Sequence, residues 1–204
     1  MIVIIDYGLG NLKSVAAAVK RLGYEFSISN RAEDFQKADK LILPGVGAFG
    51  DGMRNLLNLN LIAPLTRIVL EQGKPILGIC LGAQLMAKES VEFGHHQGLG
   101  WIDASVIKLE TGDQRLRLPH VGWNNLLQVR RNILFEGIPN EALFYYVHSF
   151  YVQCRDFNIV IAECEYGEKF TAAFNRGNIY ATQFHPEKSQ LYGLRLLENF
   201  LSKA

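Results

Sequence analysis

The stretch Pro75-Ile-Leu-Gly-Ile-Cys-Leu-Gly-Ala-Gln84 decides both the fold and the place where chemistry is expected. Ile76 to Ile79 is an unbroken apolar run, typical of a strand that is covered on both faces of a parallel sheet. A helix-compatible run, Leu81 to Lys88, follows at once. Cys80 stands at this junction with a glycine two residues away on either side, which is the spacing of a nucleophile elbow with sulfur in place of a serine hydroxyl. The segment therefore predicts a nucleophile at the edge of an α/β sheet.

Two apolar runs nearer the N-terminus, Ile2 to Ile5 and Leu41 to Leu43, predict further buried strands. Between them, apolar residues of Leu12 to Leu22 recur at helical spacing, with Asn11 placed to cap the start of a helix and Gly23 its end. Repeated strand–helix–strand order predicts an α/β fold with an open, mostly parallel central sheet flanked by helices.

The second half of the chain predicts an additional antiparallel β portion. Its short strand-like segments cover residues 101–109, 143–152, 158–166, 169–175 and 178–184. Gly167 and the triplet Arg176 to Asn178 supply turns between the last three. A final helix is expected to be capped by Ser189 and to bury a stripe formed by Leu194, Leu197, Phe200 and Leu201. We find no repeat or linker, so residues 1–204 are expected to form a single domain.

Composition excludes several classes of function. The 204 residues carry 21 basic and 20 acidic side chains, a net charge of +1, which argues against nucleic acid or an anionic membrane as the main partner. No apolar run reaches the ~18 residues of a membrane span, and the N-terminus does not resemble a signal peptide. Three cysteines are too few for a disulfide framework. The expected location is therefore the reducing cytoplasm.

A reactive Cys80 requires a cationic partner. A free thiol titrates near ~8.5, and lowering this by about two units takes roughly 2.7 kcal/mol. A helix N-terminus contributes only about 0.3–1 kcal/mol, or ~2 at best. The remainder points to a histidine. The alternative is that Cys80 is a small buried residue, as free cysteines often are, and that interpretation is kept for Cys154 and Cys164.

His185 is the best candidate for this partner among five histidines. It ends a strand and precedes Pro186 and Glu187. In an extended chain, residues i and i+2 face the same way, so Glu187 is placed to orient the imidazole. The other histidines are His95 and His96 in a polar loop, and His120 and His148, for which packing and a substrate-side role both stay open.

An acyl-transfer site also needs donors for an oxyanion. The backbone amide of Leu81, the residue after the nucleophile, is one candidate. The second is the loop Pro44-Gly-Val-Gly47, whose glycines let a backbone amide at Val46 or Gly47 turn inward. A plain strand-to-helix turn is the alternative for this loop.

The elbow and the Gln183-Phe-His-Pro-Glu187 turn, in this order and separation, resemble the two signatures of class I (triad) glutamine amidotransferases. The resemblance implies a flavodoxin-like fold and hydrolysis of the side-chain amide of L-glutamine to glutamate and ammonia. The implied triad is Cys80, His185 and Glu187. The implied chemistry uses no metal and no organic cofactor.

Within that family, five blocks resemble the glutaminase subunits of imidazole glycerol phosphate synthase, which work in histidine biosynthesis. They are Asp6 to Leu12, Leu43 to Met53, Pro119 to Asn124, Tyr145 to Ser149, and Gln183 to Ser189. The resemblance covers essentially the whole chain and implies a separate cyclase (synthase) subunit as partner in a heterodimer.

This narrower resemblance also implies roles for single residues. Glutamine would be held by Gln84, Glu92, Ser149 and Gly45. The cyclase would be met by Asn11, Trp123, Asn124, Tyr145 and Lys188. The oxyanion strand is expected to flip around Val46 in response to the partner's ligand. Phe150 replaces the tyrosine often found after the His-Ser pair, so no side-chain hydroxyl is expected there.

Three alternatives remain at this point. Close paralogues of such subunits supply ammonia to sugar amidotransferases of surface-polysaccharide biosynthesis, and short motifs do not separate the two cases. A non-catalytic binding subunit with a vestigial triad is a second alternative. A dinucleotide-binding module is weaker, because Lys13 stands where the third glycine of G-x-G-x-x-G belongs.

Overall fold

The computed structural model describes residues 1–112 and 116–204. Its strands are β1 Ile2–Ile5, β2 Phe26–Ser29, β3 Lys40–Leu43, β4 Ile76–Ile79, β5 Ala87–Ser90, β6 His96–Gln97, β7 Ile102–Lys108, β8 His120–Asn125, β9 Leu127–Gln128, β10 Leu143–His148, β11 Phe150–Cys154, β12 Val160–Tyr166, β13 Glu168–Arg176 and β14 Ile179–Thr182. Its helices are α1 Leu12–Arg21, α2 Ala32–Lys37, α3 Phe49–Asn58, α4 Ile62–Thr66, α5 Leu81–Leu85 and α6 Gln190–Lys203. A π-helical turn, Arg67–Glu71, continues α4, and short 3₁₀ turns cover Ile133–Phe135, Phe157–Ile159 and Pro186–Lys188.

The central sheet follows the predicted α/β plan. Over the described residues it has eight strands in the order β2-β1-β3-β4-β14-β13-β12-β9. The first five of these run parallel, and the last three pair antiparallel. Two smaller sheets, β10-β8 and β11-β7-β5-β6, lie outside it. The prediction of a mostly parallel sheet with an antiparallel portion from the second half is confirmed.

The unbroken apolar runs reflect burial on both faces of the sheet. In β1, Ile2 and Ile4 belong to one hydrophobic core and Val3 and Ile5 to the other, and all four are at most 4% exposed. The first core includes apolar residues of α1 and α6, and the second includes those of α2, α3 and α4. Since successive strand residues point to opposite faces, a strand between two cores needs apolar residues throughout.

The first helix begins and ends at the predicted residues. The side chain of Asn11 caps it by accepting from the Ser14 amide at 3.3 Å. Lys20 and Arg21 lie in its last turn, where the helix dipole favours cations. Gly23 follows with a φ of +82°.

The predicted helical run Leu81 to Lys88 is wrong at its C-terminal end. The helix stops at Leu85, and Ala87 already belongs to β5. The apolar residues of this run satisfy either structure, and pairing with β7 decides between them. Amides of the following loop bond to the carbonyls of Met86 and Ala87, which a longer helix would have used itself.

The predicted strand 143–152 is two strands in two sheets. β10 pairs with β8, whereas β11 pairs with β7, and the break falls at Ser149. A continuous run of aromatic and β-branched residues does not show such a break, because both strands have the same composition. In the last helix, Leu194 is half-buried, and the other three residues of the predicted stripe are buried.

Among residues 1–112 and 116–204, we find no helix with the length and apolar character needed to cross a membrane.

Candidate active site

Cys80 lies at a sharp turn between β4 and α5. Its φ of 53° and ψ of −110° place it in a conformation that L-residues rarely adopt. Its amide donates to the carbonyl of Thr182 at 2.8 Å, which ties the turn to β14. A Cβ on Gly82 would overlap the carbonyl oxygen of Leu43, and one on Gly78 would lie 2.8 Å from the Cα of Ala83. The two glycines are therefore needed for the close approach that the elbow requires.

His185 and Glu187 form a buried pair beside this turn. The imidazole Nδ1 and a carboxylate oxygen of Glu187 are 2.8 Å apart, and both side chains are 1% exposed. The pair forms within a 3₁₀ turn, Pro186–Lys188, so the extended geometry expected from the sequence is wrong although the expected contact is present. Nδ1 bonds to Glu187, and within residues 1–112 and 116–204 the buried Nε2 has no hydrogen-bond partner; both His185 and Cys80 line one cavity.

The electrostatics of the pair favour a charged imidazole. Burial alone lowers the pKa of His185, but the negative charge of Cys80 and the hydrogen bond and charge of Glu187 outweigh it and raise the pKa from 6.5 to about 10. His185 is therefore protonated near neutral pH when the sulfur is ionised. The arrangement supports a thiolate–imidazolium pair.

The backbone of His185 is held from two sides. Its amide donates to the carbonyl of Tyr145 at 2.9 Å, and its carbonyl accepts from the hydroxyl of Ser189 at 2.6 Å. The Ser189 oxygen in turn accepts from the Tyr145 amide at 3.0 Å. Ser189 thus occupies the N-cap position of α6, but its side chain makes no cap hydrogen bond to that helix. Its hydroxyl instead bridges the His185 carbonyl and the Tyr145 amide.

A cavity of about 290 Å³ opens at the sulfur. Its lining residues are Val46, Gly47, Cys80, Leu81, Gln84, Glu92, Val147, His148, Ser149, Phe150, His185 and Lys188. The volume lies near the lower end of the range for ligand pockets, roughly 300 Å³ upward, and suits a small polar molecule. A larger cleft of about 590 Å³, beside Arg131 and Glu136, contains none of the triad residues.

Gly45 is a predicted substrate residue that does not line this cavity. A Cβ at Gly45 would lie 2.5 Å from the Tyr7 hydroxyl and 2.7 Å from the Gly82 amide nitrogen, so the residue lies behind the loop, against the elbow. The next two residues reach the cavity. Val46 is 38% exposed, and Gly47 has a φ of +108°.

Gln84 and Glu92 line the cavity from two elements. Gln84 is buried in α5 and donates through Nε2 to the Phe150 carbonyl at 2.8 Å. One carboxylate oxygen of Glu92 accepts from the Phe49 amide at 2.6 Å, at the start of α3. Burial raises the pKa of Glu92, and that hydrogen bond acts in the opposite direction.

Gln183 is a site residue that the sequence analysis did not identify. Its Nε2 lies 3.6 Å from the sulfur of Cys80, and the residue is 3% exposed. Thr182 pairs with Ile79 across parallel strands, so the residues that follow, Gln183 and Cys80, lie side by side. The sequence signal that could have indicated Gln183 is its position two residues before His185, because residues i and i+2 near a strand end face the same way.

His120 and His148, for which packing and a substrate-side role both stayed open, pack against each other. Nδ1 of His120 and Nε2 of His148 are 3.2 Å apart, and His120 stacks on Tyr146 and Tyr166 at centroid distances of 5.0 and 4.0 Å. Burial lowers the pKa of His120 to about 4 and that of His148 to about 3. Both are neutral at pH 7. His148 also reaches the cavity wall, whereas His120 does not.

The five residues predicted to meet a partner are only partly clustered. Trp123 packs edge-on against Tyr145 with ring centroids 6.0 Å apart, and the Lys188 ammonium lies 5.6 Å from the Tyr145 ring centroid. Asn124 points to the opposite side of β8, with Nδ2 2.9 Å from the Glu165 carbonyl and 3.3 Å from Nε2 of His120. Asn11 uses its side chain to cap α1.

The other two cysteines lack these features. Burial raises the pKa of Cys154 and of Cys164 to about 12 in each case. Neither lines the cavity at Cys80. Within residues 1–112 and 116–204, no three His, Cys, Asp or Glu side chains are grouped so as to hold a metal ion.

Comparison with known proteins agrees with this geometry. The Glutamine amidotransferase class-I family model matches residues 3–204. The imidazole glycerol phosphate synthase subunit HisH 1 of Campylobacter jejuni is 52% identical over 200 residues, covering 98% of both chains. The subunit HisH of Aquifex aeolicus is 47% identical over 203 residues, covering 99% of this chain and 96% of the relative. HisH 2 of Pseudomonas aeruginosa is 44% identical and covers 98% of both chains.

Solved structures support the fold at lower identity. A crystal structure of a glutamine amidotransferase superimposes with a TM-score of 0.76 at 23% identity, covering 98% of this chain and 97% of the other. PurLQS from Thermotoga maritima gives 0.75 at 18% identity, with 98% and 96% coverage. With the family match and the near-complete coverage of its relatives, this chain belongs to the class-I glutamine amidotransferase family.

Proposed function

We propose that residues 1–204 form one glutaminase domain, the glutamine-hydrolysing subunit of imidazole glycerol phosphate synthase. The observation that carries the glutaminase activity is Cys80 at a strained elbow, facing the buried His185–Glu187 pair at the wall of a small cavity. The choice of synthase rests on identities of 44–52% to HisH subunits over nearly their whole length. The cytoplasm is the proposed location, since these relatives are biosynthetic subunits and all three cysteines are free.

The proposed reaction uses the triad in two stages. The Cys80 thiolate attacks the carboxamide carbon of glutamine, and the imidazolium of His185 gives its proton to the departing nitrogen. Ammonia leaves, and a γ-glutamyl thioester remains on the sulfur. Neutral His185 then takes a proton from water, the hydroxide attacks the thioester, and glutamate is released. Glu187 keeps the imidazole oriented throughout through its 2.8 Å contact.

The cavity residues are assigned by position and by the family resemblance. The amide of Leu81, at the N-terminus of α5, and the amides of Val46 and Gly47 are the proposed oxyanion donors. We assign glutamine binding to Gln84, Glu92 and Ser149, which line the cavity, with Gly45 supporting the loop from behind.

The proposed partner is a separate cyclase subunit that receives the ammonia. Trp123, Tyr145 and Lys188 are adjacent on one surface, and Lys188 also lines the cavity. A partner docked there would meet the site from which ammonia leaves and would keep ammonia away from bulk water. Asn11 and Asn124 are the remaining proposed interface residues.

The activity is tested by substituting the nucleophile. Cys80→Ala should abolish glutamine hydrolysis while leaving partner binding intact, because the change removes only the attacking sulfur. Cys154→Ala is the matched control and should keep full activity, since burial holds the pKa of that thiol near 12. A glutamine-mimicking diazoketone should label Cys80 alone. Hydrolysis that persists in Cys80→Ala would contradict the assignment.

The partner is tested by reconstitution. Glutamine hydrolysis by the isolated chain should be very low and should rise when a cyclase subunit and its nucleotide ligand are added. A sugar amidotransferase of surface-polysaccharide biosynthesis is the matched comparison. Activation by that protein and not by the cyclase would replace the proposed pathway but not the glutaminase.

A further inference from the structure

The side chain of Gln183 touches the reacting sulfur and has no part in the mechanism described above. It is buried, and its two ends have different partners. Nε2 lies 3.6 Å from the sulfur of Cys80, and Oε1 lies 3.1 Å from Nε2 of Gln84. Which end faces the sulfur matters, because an N–H group stabilises a sulfur anion and a carbonyl oxygen repels it.

The carbonyl of Phe150 fixes this orientation. A carbonyl oxygen only accepts hydrogen bonds, so Gln84, whose side-chain amide lies 2.8 Å away, must turn its NH₂ group toward it. The second hydrogen of that NH₂ group is then directed at Gln183, whose end facing Gln84 must be the oxygen. The NH₂ group of Gln183 is left to face the sulfur of Cys80.

The second lone pair of the Phe150 carbonyl is also occupied. Nδ1 of His148 lies 3.0 Å from this oxygen and must be the protonated nitrogen of that ring. Nε2 of a neutral His148 is then an acceptor for Nδ1–H of His120, 3.2 Å away. The lowered pKa values of both rings keep them neutral, so each hydrogen bond on this side of the network can run in only one direction.

We infer that Gln183 is a further residue of the active site, which donates an N–H hydrogen bond to the sulfur anion of Cys80 and holds it toward the cavity. The inference deepens the proposed function, since it rests on Cys80 being the nucleophile. Hydrogen bonds to an ionised acceptor are stronger than those between neutral groups. Gln84 and the Phe150 carbonyl act through Gln183 by fixing which end of its amide meets the sulfur.

Alkylation of Cys80 by iodoacetamide tests this without glutamine or a partner. Gln183→Met keeps the size and flexibility of the side chain and removes the donor. In rates measured from pH 5 to pH 10, it should shift the pH at which the alkylation rate of Cys80 is half-maximal upward by about one unit, because the ionised sulfur loses a hydrogen bond. At the high-pH plateau of this profile, the rate should be at least the wild-type value.

Two further variants complete the experiment. Gln36→Met makes the same change at an exposed glutamine of α2, whose side chain bonds to exposed Gln72, and should leave the alkylation rate unchanged. Gln183→Glu preserves the shape but places an anion against the sulfur, so its half-maximal pH should lie above that of Gln183→Met. Thermal melting checks that each variant is folded.

Four outcomes are decisive. An upward shift of the half-maximal pH, with a plateau at or above the wild-type rate, supports the inference. Wild-type profiles in both Gln183 variants would overturn it. Rates reduced equally at every pH would also overturn it, because a substitution that displaces the elbow slows the reaction without changing the ionisation of the sulfur. An unreactive Cys80 in the wild-type chain would instead refute the proposed function, so the two failures are distinguishable.

Discussion

Cys80 combines a strained backbone with a tightly packed setting. A residue in a sparsely populated region of φ and ψ costs about 1–3 kcal/mol and persists only where its surroundings enforce it. Here the enforcing contacts are the hydrogen bond to Thr182 and the close approach at Gly78 and Gly82. The strained conformation lifts the sulfur from the strand end toward the cavity. A larger residue at either glycine would displace the elbow.

The free energy of unfolding should depend on pH through the single residue His185. The folded-state pKa, about 10, lies above the unfolded value of 6.5, so protonation favours the folded state. This contribution is fully present below about pH 6.5 and is lost as the pH rises through about 10. Urea unfolding at pH 6, 8 and 10 should show a steeper fall in the free energy of unfolding for the wild type than for His185→Gln. Equal slopes would contradict the raised pKa.

Four elements meet at the turn that carries His185 and Glu187. Parallel pairing of β4 with β14 brings Cys80 beside Gln183, and β10 holds the His185 amide through the Tyr145 carbonyl. The N-terminus of α6 contributes Ser189, which is 1% exposed and bonds to both neighbours. The position of the imidazole is therefore set by contacts between elements that are distant in the sequence.

At the element scale, Ser189→Ala should damage both stability and activity. Removing the hydroxyl leaves the buried Tyr145 amide without its side-chain partner, which costs about 1–3 kcal/mol, and leaves the His185 carbonyl with the Lys188 amide at 3.1 Å. Glutamine hydrolysis by the complex should fall because the His185 backbone loses this bridge. Ser202→Ala, where an exposed hydroxyl bonds to the Glu198 carbonyl, is the control and should change stability by less than about 0.5 kcal/mol. Urea unfolding and a glutaminase assay measure the two effects, and equal behaviour of the variants would refute the bridge.

For the whole molecule, the cavity and the proposed docking surface are continuous. Lys188 belongs to both, since it lines the cavity and lies over the Tyr145 ring. Trp123 is 44% exposed next to it and Val121 is 57% exposed on the same strand. Exposed aromatic residues of this kind are often the centres of binding energy at protein interfaces.

Trp123→Ala should therefore weaken binding of the cyclase subunit by about 2 kcal/mol, roughly 30-fold in Kd. Isothermal titration calorimetry measures this directly. Phe157→Ala is the control, because Phe157 is 52% exposed but lies in a different part of the fold, next to Arg130. A loss of affinity in Phe157→Ala alone would move the interface away from the proposed surface.

Sequence patterns predicted those parts of the molecule that depend on local spacing. The apolar runs gave β1, β3 and β4, and the two glycines around Cys80 gave the elbow. Pairing between segments that are distant in the sequence could not be predicted from local spacing. The early end of α5 depends on β7, and the break at Ser149 depends on which sheet each half joins. The position of Gln183 beside the sulfur could not be predicted for the same reason, since Gln183 meets Cys80 only because β14 pairs with β4.

The two-stranded ribbon of β8 and β10 has one buried face and one exposed face. His120, Phe144 and Tyr146 point inward and are buried, whereas Val121 and Trp123 point outward. Because neighbouring residues serve opposite sides, substitutions at every second position can change the outer surface and leave the interior untouched. In a gene duplicate of this chain, substitutions on the outer face could therefore create a surface for a different synthase while the buried residues around Cys80 stay the same.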